Sequence, residues 1–346
     1  MRTALLPLLL LLASCVSAPQ GAATYVNPVL DGDFPDPAVL KTADGFYYAY
    51  ATQGGGHNLQ VARSRDLTTW ERLADALPVK PGWASKTQDY WAPHAHHADG
   101  RYYLYYSAKP DAALTDKERG LCLAVATASR PEGPFTDMGR PLLCGPGFVN
   151  IDPMAYDDPA TGKRLLYWGS GFGPIKVQEL GPDRMSFAAG SAPVDLVAAV
   201  KTEDPSDYRR LVEGAWVLKR DGWYYLFYSG DNCCGVNIHY AALVARSRNA
   251  TGPYESLGPA GGPPRPVVER TQRWIGPGHN SIAEDAAGNH WTLYHAVDAR
   301  RTRTKPGDEV NTRRVMLVDR LVWQDGWPRL ASGAPTEAPQ SRPVVE

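Results

Sequence analysis

The chain has 346 residues, of which 43% are hydrophobic and 21% are charged, as is typical of a globular protein with a large core. Its 36 Lys and Arg residues nearly balance its 37 Asp and Glu residues, so the formal net charge is only -1 at pH 7. A nucleic-acid partner is therefore excluded, because the chain lacks the basic field that such binding requires.

The N-terminus has the features of an export signal. Met1-Arg2 precede an apolar run over residues 4–12, which is too short to span a membrane and has the flanks of a secretory signal peptide. The run ends in Leu12-Ala13-Ser14-Cys15, which resembles a bacterial lipobox, in which the cysteine becomes the lipidated first residue. Ordinary cleavage near Val16-Ser17-Ala18, with Cys15 discarded, is the alternative.

We therefore predict a signal peptide over residues 1–15 and a tether over residues 16–26. The protein is expected to be exported, as a periplasmic or cell-surface lipoprotein or, in the alternative, as a secreted protein. Its only predicted membrane contact is a lipid on Cys15.

One pattern of residues recurs five times, at intervals of about 60 residues. One residue opens a short apolar strand, a turn glycine follows, and an aromatic strand comes next, which is the composition of a β-hairpin. The opening residues and turn glycines are Asp36 and Gly45, Trp91 and Gly100, Asp152 and Gly162, Glu213 and Gly222, and His279 and Gly288.

Each repeat continues into a second half with further strands, such as those that begin at Val61, Val125 and Val244. Four strands per repeat at this period are typical of a propeller blade. We predict an all-β fold, a single five-bladed β-propeller with four antiparallel strands per blade. It would cover residues 27–335, with a C-terminal tail over residues 336–346.

The innermost strands of a propeller surround one axis, so the five opening residues are expected to meet in one pocket. That pocket would combine three carboxylates, an indole and an imidazole, which is a reactive composition. Its members are Asp36, Trp91, Asp152, Glu213 and His279.

Two Asp-Pro pairs stand at corresponding places in repeats one and three. Pro37 cannot donate to a strand ladder, so Asp36 should lie at the first position of its strand with its carboxylate directed out of the sheet. An Asx-type turn is the alternative for a single Asp-Pro, but Asp152-Pro153 repeats the arrangement. Asp33 is a weaker candidate on the outer side of the same segment.

The second repeat opens on Trp91, whose flat apolar face suits stacking on a sugar ring. An ordinary core tryptophan is the alternative, because the chain has 10 Trp and 18 Tyr and most must pack between blades. His94, His96 and His97 follow, but three histidines so close on one alternating strand would not all face one ion. We expect surface or strand-end positions for His96 and His97.

The fifth repeat opens on His279, after two glycines that permit a sharp backbone turn. His279 could hold a water shell around a central cation or bind a substrate by hydrogen bonding. Alternatively, it could be a core residue whose hydrogen bonds are made within the protein.

Four cysteines remain besides Cys15, and an exported location permits disulfides. A Cys122–Cys144 bond would join the outer strands of repeat two, whereas Cys233 and Cys234 are adjacent and could close only a strained ring. The oxidation state of both pairs is left open. Zinc binding by Cys233-Cys234 is discounted, because no His or Cys lies at zinc spacing.

Several motifs, in order along nearly the whole mature chain, together resemble those of glycoside hydrolase family 43. The resemblance implies a five-bladed propeller, as does the repeat count. The motifs are Phe34-Pro35-Asp36-Pro37, Trp91-Ala92-Pro93, Ile151-Asp152-Pro153, Glu213-Gly214, Gly276-Pro277-Gly278-His279-Asn280 and Leu321-Val322-Trp323-Gln324-Asp325-Gly326-Trp327-Pro328.

The resemblance also implies roles for individual residues. Asp36 matches the general base, Glu213 the general acid, and Asp152 the carboxylate that tunes the pKa of the acid and orients the substrate. Arg314 matches a substrate-contacting arginine, and His279 matches a central histidine that in some members approaches a bound calcium or sodium ion.

We further expect Phe34 and Trp91 to contact substrate. No cofactor is expected to be required, although a Ca²⁺ or Na⁺ ion near His279 at the propeller axis is compatible with the pattern.

This residue set suits hydrolysis with inversion. A carboxylic acid protonates the leaving oxygen while a carboxylate activates water on the opposite face, and roughly 6.5–9.5 Å must separate the two. Asp36 and Glu213, on non-adjacent blades, could span that gap. An ionised Asp152 nearby would raise the pKa of Glu213 and keep it protonated near neutral pH.

The family acts mainly on α-L-arabinofuranosides and β-D-xylosides. The segments Gly169-Ser170, Gly173–Lys176 and Cys233–Asn237 resemble its arabinanase branch, whereas Phe34 before the Asp-Pro pair is closer to the xylosidase style. We predict an inverting hydrolase of α-L-arabinofuranosidic bonds in arabinan or arabino-oligosaccharides, with endo or exo action left open. The expected partner is therefore an arabinan or arabinoxylan-type oligosaccharide. A β-D-xylosidase is the alternative within the family.

Two rival functions come from other classes. One is a retaining fructan-type propeller hydrolase, which would need its two carboxylates only about 5–5.5 Å apart. The other is a non-catalytic carbohydrate-binding propeller, against which the retention of all three carboxylates argues.

Overall fold

The computed structural model describes residues 23–112, 120–169, 171–305 and 312–345. The predicted signal peptide, Cys15 and most of the tether lie outside the described residues. Within them no helix is long and apolar enough to cross a membrane.

Five antiparallel sheets follow one another along the chain, and each is built from consecutive strands. A short β1 (Thr24–Tyr25) precedes them. Blade one contains β2 (Ala38–Lys41), β3 (Tyr47–Ala51), β4 (Gln60–Ser64) and β5 (Glu71–Arg72). Blade two contains β6 (Tyr90–Ala98), β7 (Arg101–Ala108), β8 (Cys122–Ala128), β9 (Thr136–Asp137) and β10 (Leu143–Cys144).

The remaining blades continue the same order. Blade three contains β11 (Met154–Asp157), β12 (Arg164–Trp168), β13 (Ile175–Glu179) and β14 (Val194–Val197). Blade four contains β15 (Val212–Arg220), β16 (Trp223–Asn232), β17 (His239–Ser247) and β18 (Glu255–Ser256). Blade five contains β19 (Trp274–Glu284), β20 (His290–Asp298), β21 (Arg314–Gln324) and β22 (Trp327–Leu330), and β23 (Gln340–Ser341) ends the series. Two 3-10 turns, Gly82–Ala84 and Tyr208–Arg210, complete the elements.

The predicted all-β, five-bladed propeller is therefore confirmed. Blade two differs slightly from the prediction, because both β9 and β10 pair with β8 at its outer edge.

The core consists of five hydrophobic clusters, one between each pair of adjacent blades. Most of the core residues belong to the second strands of the blades. Two of these strands, β3 and β20, are buried along their whole length. A strand in this position is covered on both faces by neighbouring blades, which explains why its sequence is almost continuously apolar and aromatic.

The ring closes through contacts between the two ends of the described chain. β1 pairs with β23, and Leu30 bridges to Met316 in blade five. The Tyr25 hydroxyl donates to the Val318 carbonyl at 2.7 Å. Residues 24–25 and 340–341, which we assigned to the tether and the tail, therefore belong to the folded domain, and its boundaries extend beyond residues 27–335.

One of the two cysteine pairs is oxidised. A disulfide joins Cys122 in β8 to Cys144 in β10, across the outer edge of blade two. Cys233 and Cys234 are free thiols.

Candidate active site

Each blade has one residue with a positive φ at the axial start of its innermost strand. These residues are Asp36 (φ 59), Ala92 (φ 45), Asp152 (φ 53), Gly214 (φ 64) and His279 (φ 48). They are the true equivalents of one another. Trp91 and Glu213, which we aligned with them, each precede this position by one residue, so the predicted register of blades two and four is wrong by one.

The backbone N–H of this residue donates to a side chain near the end of the second strand of the preceding blade. We call this bond the axial hydrogen bond. Four of the five follow this rule: Ala92 N to Thr52 Oγ1 (2.8 Å), Asp152 N to Ser107 Oγ (3.0 Å), His279 N to Ser229 Oγ (2.7 Å) and Asp36 N to His295 Nδ1 (3.1 Å).

Blade four is the exception. The position that would supply its acceptor is Gly169, directly after β12, which has no side chain to offer. The Gly214 N–H donates instead to Asp152 Oδ2 at 3.0 Å. A structural hydrogen bond of the other blades is thus replaced by one that orients a carboxylate.

Asp36 is buried in a network of donors. Its Oδ1 accepts from Arg314 Nη1 at 3.0 Å and lies 3.4 Å from His279 Nδ1. Its Oδ2 accepts from the Thr52 hydroxyl at 2.5 Å. Burial alone would raise the pKa of Asp36, but Arg314 first, then His279 and His295, outweigh burial and hold it well below its usual value. Asp36 is therefore ionised at neutral pH.

Glu213 and Asp152 form a close carboxyl pair. One carboxyl oxygen of Glu213, one carboxyl oxygen of Asp152 and a ring nitrogen of His279 all lie within 4.8 Å of one another. Burial raises the pKa of Glu213 to about 8, with Asp36 adding to the effect and the hydrogen bond from the Tyr240 hydroxyl (2.8 Å) opposing it.

Asp152, which we expected to stay ionised, also has a raised pKa. Burial is the largest cause, followed by the carboxylates of Glu213 and Asp36, while the Gly214 N–H opposes them. Two such groups titrate as a pair, and this pair holds at least one proton near neutral pH.

His279 and Arg314 complete the hollow. His279 Nδ1 lies 3.9 Å from Asp152 Oδ2, and burial lowers the pKa of His279 despite the attraction of Asp36. Arg314 begins β21, and its N–H donates to Asp33 Oδ1 at 2.9 Å. The structure thus brings together five of the residues singled out in the sequence: Asp36, Asp152, Glu213, His279 and Arg314.

The prediction that Phe34 contacts substrate is wrong. Its side chain is 0% exposed and packs in the cluster between blades one and five. Its contribution to the site is through the backbone, because its N–H donates to the Arg314 carbonyl at 2.8 Å. Trp91 is partly exposed, and its indole lies parallel to the ring of Phe148 with centroids 5.9 Å apart.

Three residues of the site were missed: Thr52, Tyr240 and His295. The ring of His295 lies parallel to that of Tyr240 at 5.6 Å, and burial lowers the pKa of His295 to about 4. Thr52 could have been found, since it occupies the same place in its repeat as Ser107 and Ser229 in theirs.

A small cavity lies at the axis among the innermost strands, lined by His94, Asp152, His279 and Asn280 among others. Asn280 Oδ1 is buried and has no hydrogen-bond partner among the described residues. Amide and carboxylate oxygens are the ligands that hard cations such as Ca²⁺ prefer. The donors present therefore fit such an ion, provided that water completes its coordination.

The chain is similar to known glycosyl hydrolases. Residues 25–328 match the family model for glycosyl hydrolases family 43. A xylan 1,3-beta-xylosidase from Vibrio sp is 27% identical, over 93% of this chain and 59% of the relative. An extracellular exo-alpha-(1->5)-L-arabinofuranosidase from Cellvibrio japonicus is 26% identical, over 86% of both.

A solved structure shows the same fold. The crystal structure of a thermostable family-43 glycoside hydrolase superposes with a TM-score of 0.76 at 27% identity, covering 93% of this chain and all of that one. The present chain spans only 59% of the length of the Vibrio relative.

Proposed function

Because the chain belongs to glycosyl hydrolases family 43, we propose that it is an inverting glycosidase with Asp36 as general base and Glu213 as general acid. The observation that carries the proposal is that two carboxyls in one hollow, the buried Asp36 and the half-buried Glu213, have pKa values shifted in opposite directions. The pKa of Asp36 is held well below its usual value, whereas that of Glu213 is raised to about 8.

The reaction proceeds in one displacement. Asp36 accepts a proton from a water molecule whose oxygen attacks the anomeric carbon, while Glu213 gives its proton to the glycosidic oxygen on the opposite face. The bond between that carbon and the leaving oxygen breaks, and the product carries the inverted anomeric configuration. Arg314 keeps Asp36 ionised through its 3.0 Å hydrogen bond, so the base is ready at neutral pH.

The proton of the carboxyl pair is assigned to Glu213. Asp152 Oδ2 accepts the Gly214 N–H, and a hydrogen bond of that kind favours the anionic form. With Asp152 ionised, its charge stabilises the protonated form of Glu213. Asp152 therefore acts on the acid and not on the substrate bond.

Thr52 positions the general base. Thr52→Val keeps the side-chain shape but removes the hydroxyl that donates to Asp36 Oδ2 and accepts the Ala92 N–H. We expect kcat/KM to fall about tenfold, the effect of losing one hydrogen bond to a charged group. The acidic limb of the pH profile should also move to higher pH, because the pKa of Asp36 rises when it loses a donor.

Thr52→Ser is the matched control, since it retains the hydroxyl and should restore both the rate and the acidic limb. If Thr52→Ser and Thr52→Val lost activity equally, the hydroxyl would have no role in setting Asp36.

The proposed substrate is an α-L-arabinofuranosidic bond in arabinan or an arabino-oligosaccharide, including those of arabinoxylan type. The arabinanase-like segments of the sequence support it, as does similarity to the exo-alpha-(1->5)-L-arabinofuranosidase of Cellvibrio japonicus. A β-D-xyloside is the second candidate, favoured by similarity to the xylan 1,3-beta-xylosidase of Vibrio sp.

The decisive experiment offers linear arabinan and xylo-oligosaccharides to the full chain and sizes the products. Release of arabinose or its oligomers supports the first candidate, and a ladder or monomer alone distinguishes endo from exo action. NMR of the first product should show the inverted anomer. Retention would favour the fructan-type rival, and binding without any release would favour the non-catalytic one.

We also propose a Ca²⁺ or Na⁺ ion at the axis, held by Asn280 Oδ1 and through water by His279 and Asp152. Such an ion would supply fixed positive charge near the carboxylates. Dialysis against a potassium-salt chelator in sodium-free buffer should lower the melting temperature, and addition of Ca²⁺ or Na⁺ alone should restore it. An unchanged melting temperature after dialysis in sodium-free chelator and after addition of either ion contradicts the site.

We also propose that the chain is exported. The relative from Cellvibrio japonicus is described as extracellular, which supports export of this chain. Lipidation at Cys15 would be tested by labelling with radioactive palmitate, which should mark the wild type but not Cys15→Ser.

A further inference from the structure

A large polar groove opens beside the catalytic hollow, and the mechanism above does not use it. It has a volume of about 950 Å³, and loops of blades one and five form most of its walls. These loops follow β3 and β20, whose last residues pair with the first residues of β2 and β19. The groove therefore lies on the same face of the propeller as the axial residues. The five residues that meet in the hollow are not among those that line it.

The groove adjoins the general base at two points. Asp33 lines it, and Asp33 Oδ1 accepts from the Arg314 N–H at 2.9 Å. Gln53 also lines it and directly follows Thr52, whose hydroxyl donates to Asp36 Oδ2 at 2.5 Å. A sugar chain bound in the hollow can therefore continue into the groove on the side of the base.

Positive charge exceeds negative charge along the walls of this groove. The chain as a whole carries a formal net charge of -1, so the local excess is a feature of the fold and not of the composition. A cleft lined by one sign of charge attracts ligands of the opposite sign. We call it the basic groove, and its charged residues are the cations Arg72, Arg301, Lys305 and Arg313 and the carboxylates Asp31 and Asp33.

Both carboxylates of the basic groove already have partners. Asp31 is paired with the buried guanidinium of Arg313, and Asp33 accepts a backbone N–H of blade five. Arg72 is engaged as well, because it donates to the Asp33 carbonyl at 3.3 Å and to Gln60 Oε1 at 2.7 Å. These contacts fix the walls and neutralise part of their charge.

The other two cations lack a counter-charge. Arg301 and Lys305 are exposed, and neither side chain forms an ion pair within the part of the chain that the structure describes. The backbone of Arg301 is held in place, since its N–H donates to the Asp298 carbonyl at 2.9 Å. A guanidinium presents a planar set of donors that matches a carboxylate in two parallel hydrogen bonds.

The neutral part of the lining suits the hydroxyl groups of a sugar. The amides of Gln53 and Gln88 can both donate and accept hydrogen bonds, as hydroxyls do. Gly55 and Gly56 form part of the same wall, and a Cβ on either would meet no atom within 4 Å. The basic groove thus offers room, neutral polar groups and uncompensated positive charge, which together fit a sugar that carries a carboxylate.

We propose that the basic groove binds a uronate, a sugar unit bearing a carboxylate, in the polysaccharide whose arabinosyl or xylosyl bond is cleaved. The Arg301 guanidinium receives the carboxylate, Lys305 adds positive charge, and the amides bind the ring hydroxyls. This inference rests on the proposed glycosidase function and names its substrate class, which is an acidic polysaccharide and not a neutral one.

The test uses one polymer with and without its carboxylates. The polymer is galacturonate-containing pectic arabinan, or glucuronoxylan if xylosides are cleaved, before and after carbodiimide and borohydride reduction of its uronates to neutral sugars. At low ionic strength the wild type should show a kcat/KM about three- to tenfold higher on the unreduced polymer. The preference should shrink at roughly 1 M NaCl, where charges are screened beyond about 3 Å. Equal kcat/KM on both forms at low ionic strength overturns the proposal.

Two matched double variants locate the effect. Arg301→Gln with Lys305→Gln should lose the preference for the unreduced polymer and keep the wild-type kcat/KM on the reduced one. Arg265→Gln with Arg329→Gln removes the same charge from two exposed arginines that do not line the groove, and should keep the preference. Full preference in the first double variant, or its loss in the second, overturns the assignment.

A binding measurement separates this inference from the proposed function. In the Glu213→Gln background, the unreduced polymer should bind about three- to tenfold more tightly than the reduced one. If the wild type cleaves neither form yet this difference is found, the hydrolase proposal fails and the basic groove stands. Cleavage of both forms with equal affinity leaves the hydrolase and overturns the groove. Competition by inorganic phosphate as strong as that by free D-galacturonate would show a general anion site and overturn the uronate assignment.

Discussion

Replacement of Glu213 by Ala should lower kcat on an unactivated arabino-oligosaccharide by about 10²–10⁴-fold, the usual contribution of general acid catalysis. An aryl glycoside with an activated leaving group, such as p-nitrophenol, needs little protonation and should lose far less. The measurement is the ratio of the two losses. Equal losses on both substrate types would reject Glu213 as the acid.

The pH dependence supplies a second readout for the same residue. A general acid works in its protonated form, and the pKa of Glu213 is raised to about 8. The kcat/KM of the wild type should therefore fall as the pH rises through about 8. In Glu213→Gln, which keeps the side-chain shape, the residual activity on the aryl glycoside should no longer show this alkaline limb. Persistence of the limb would assign it to another group.

Replacement of Asp36 by Asn should abolish turnover of both substrate types alike, by about 10²–10⁴-fold. Activation of water is required whatever the leaving group, because in an inverting reaction the water attacks in the only chemical step. This pattern is the opposite of the one expected for Glu213. Substantial activity of Asp36→Asn on the aryl glycoside would show that Asp36 is not the base.

Folding must be checked for this variant, since Asp36 is the buried carboxylate that pairs with the half-buried Arg314. Loss of one member of a buried ion pair leaves the other charge uncompensated and destabilises the fold. Retention of trisaccharide binding by Asp36→Asn would show that the hollow is intact and that the loss is chemical.

Repetition explains why so much could be predicted. The hairpin pattern is local: a turn glycine and alternating apolar residues determine each pair of strands, and five copies predict five blades. The same argument brought Asp36, Asp152 and His279 to one axis, where the structure places them. The positions of these three side chains follow from the positions of their strands, so they can be predicted without knowledge of the packing.

The one-residue error at Trp91 and Glu213 has a local cause of a different kind. From the positive-φ residue to the turn glycine the spacing is eight residues in blades two and four (100−92 and 222−214), but nine in blades one and five (45−36 and 288−279). A constant spacing of nine, counted back from the glycine, therefore reaches Trp91 and Glu213, one residue too early.

By itself the sequence determined the blade count, the strand order and which three carboxyl residues meet at the axis, because each depends on residues close together in the chain. Only the tertiary structure decided that Phe34 is buried, that Thr52 holds Asp36, and that Phe148 joins Trp91. Phe34 packs against blade five, and Phe148 stacks on a residue of another repeat, so no period within one repeat encodes these two contacts. The Thr52–Asp36 hydrogen bond lies within repeat one: the repeat places Thr52, but only the fold shows that its hydroxyl reaches the carboxylate.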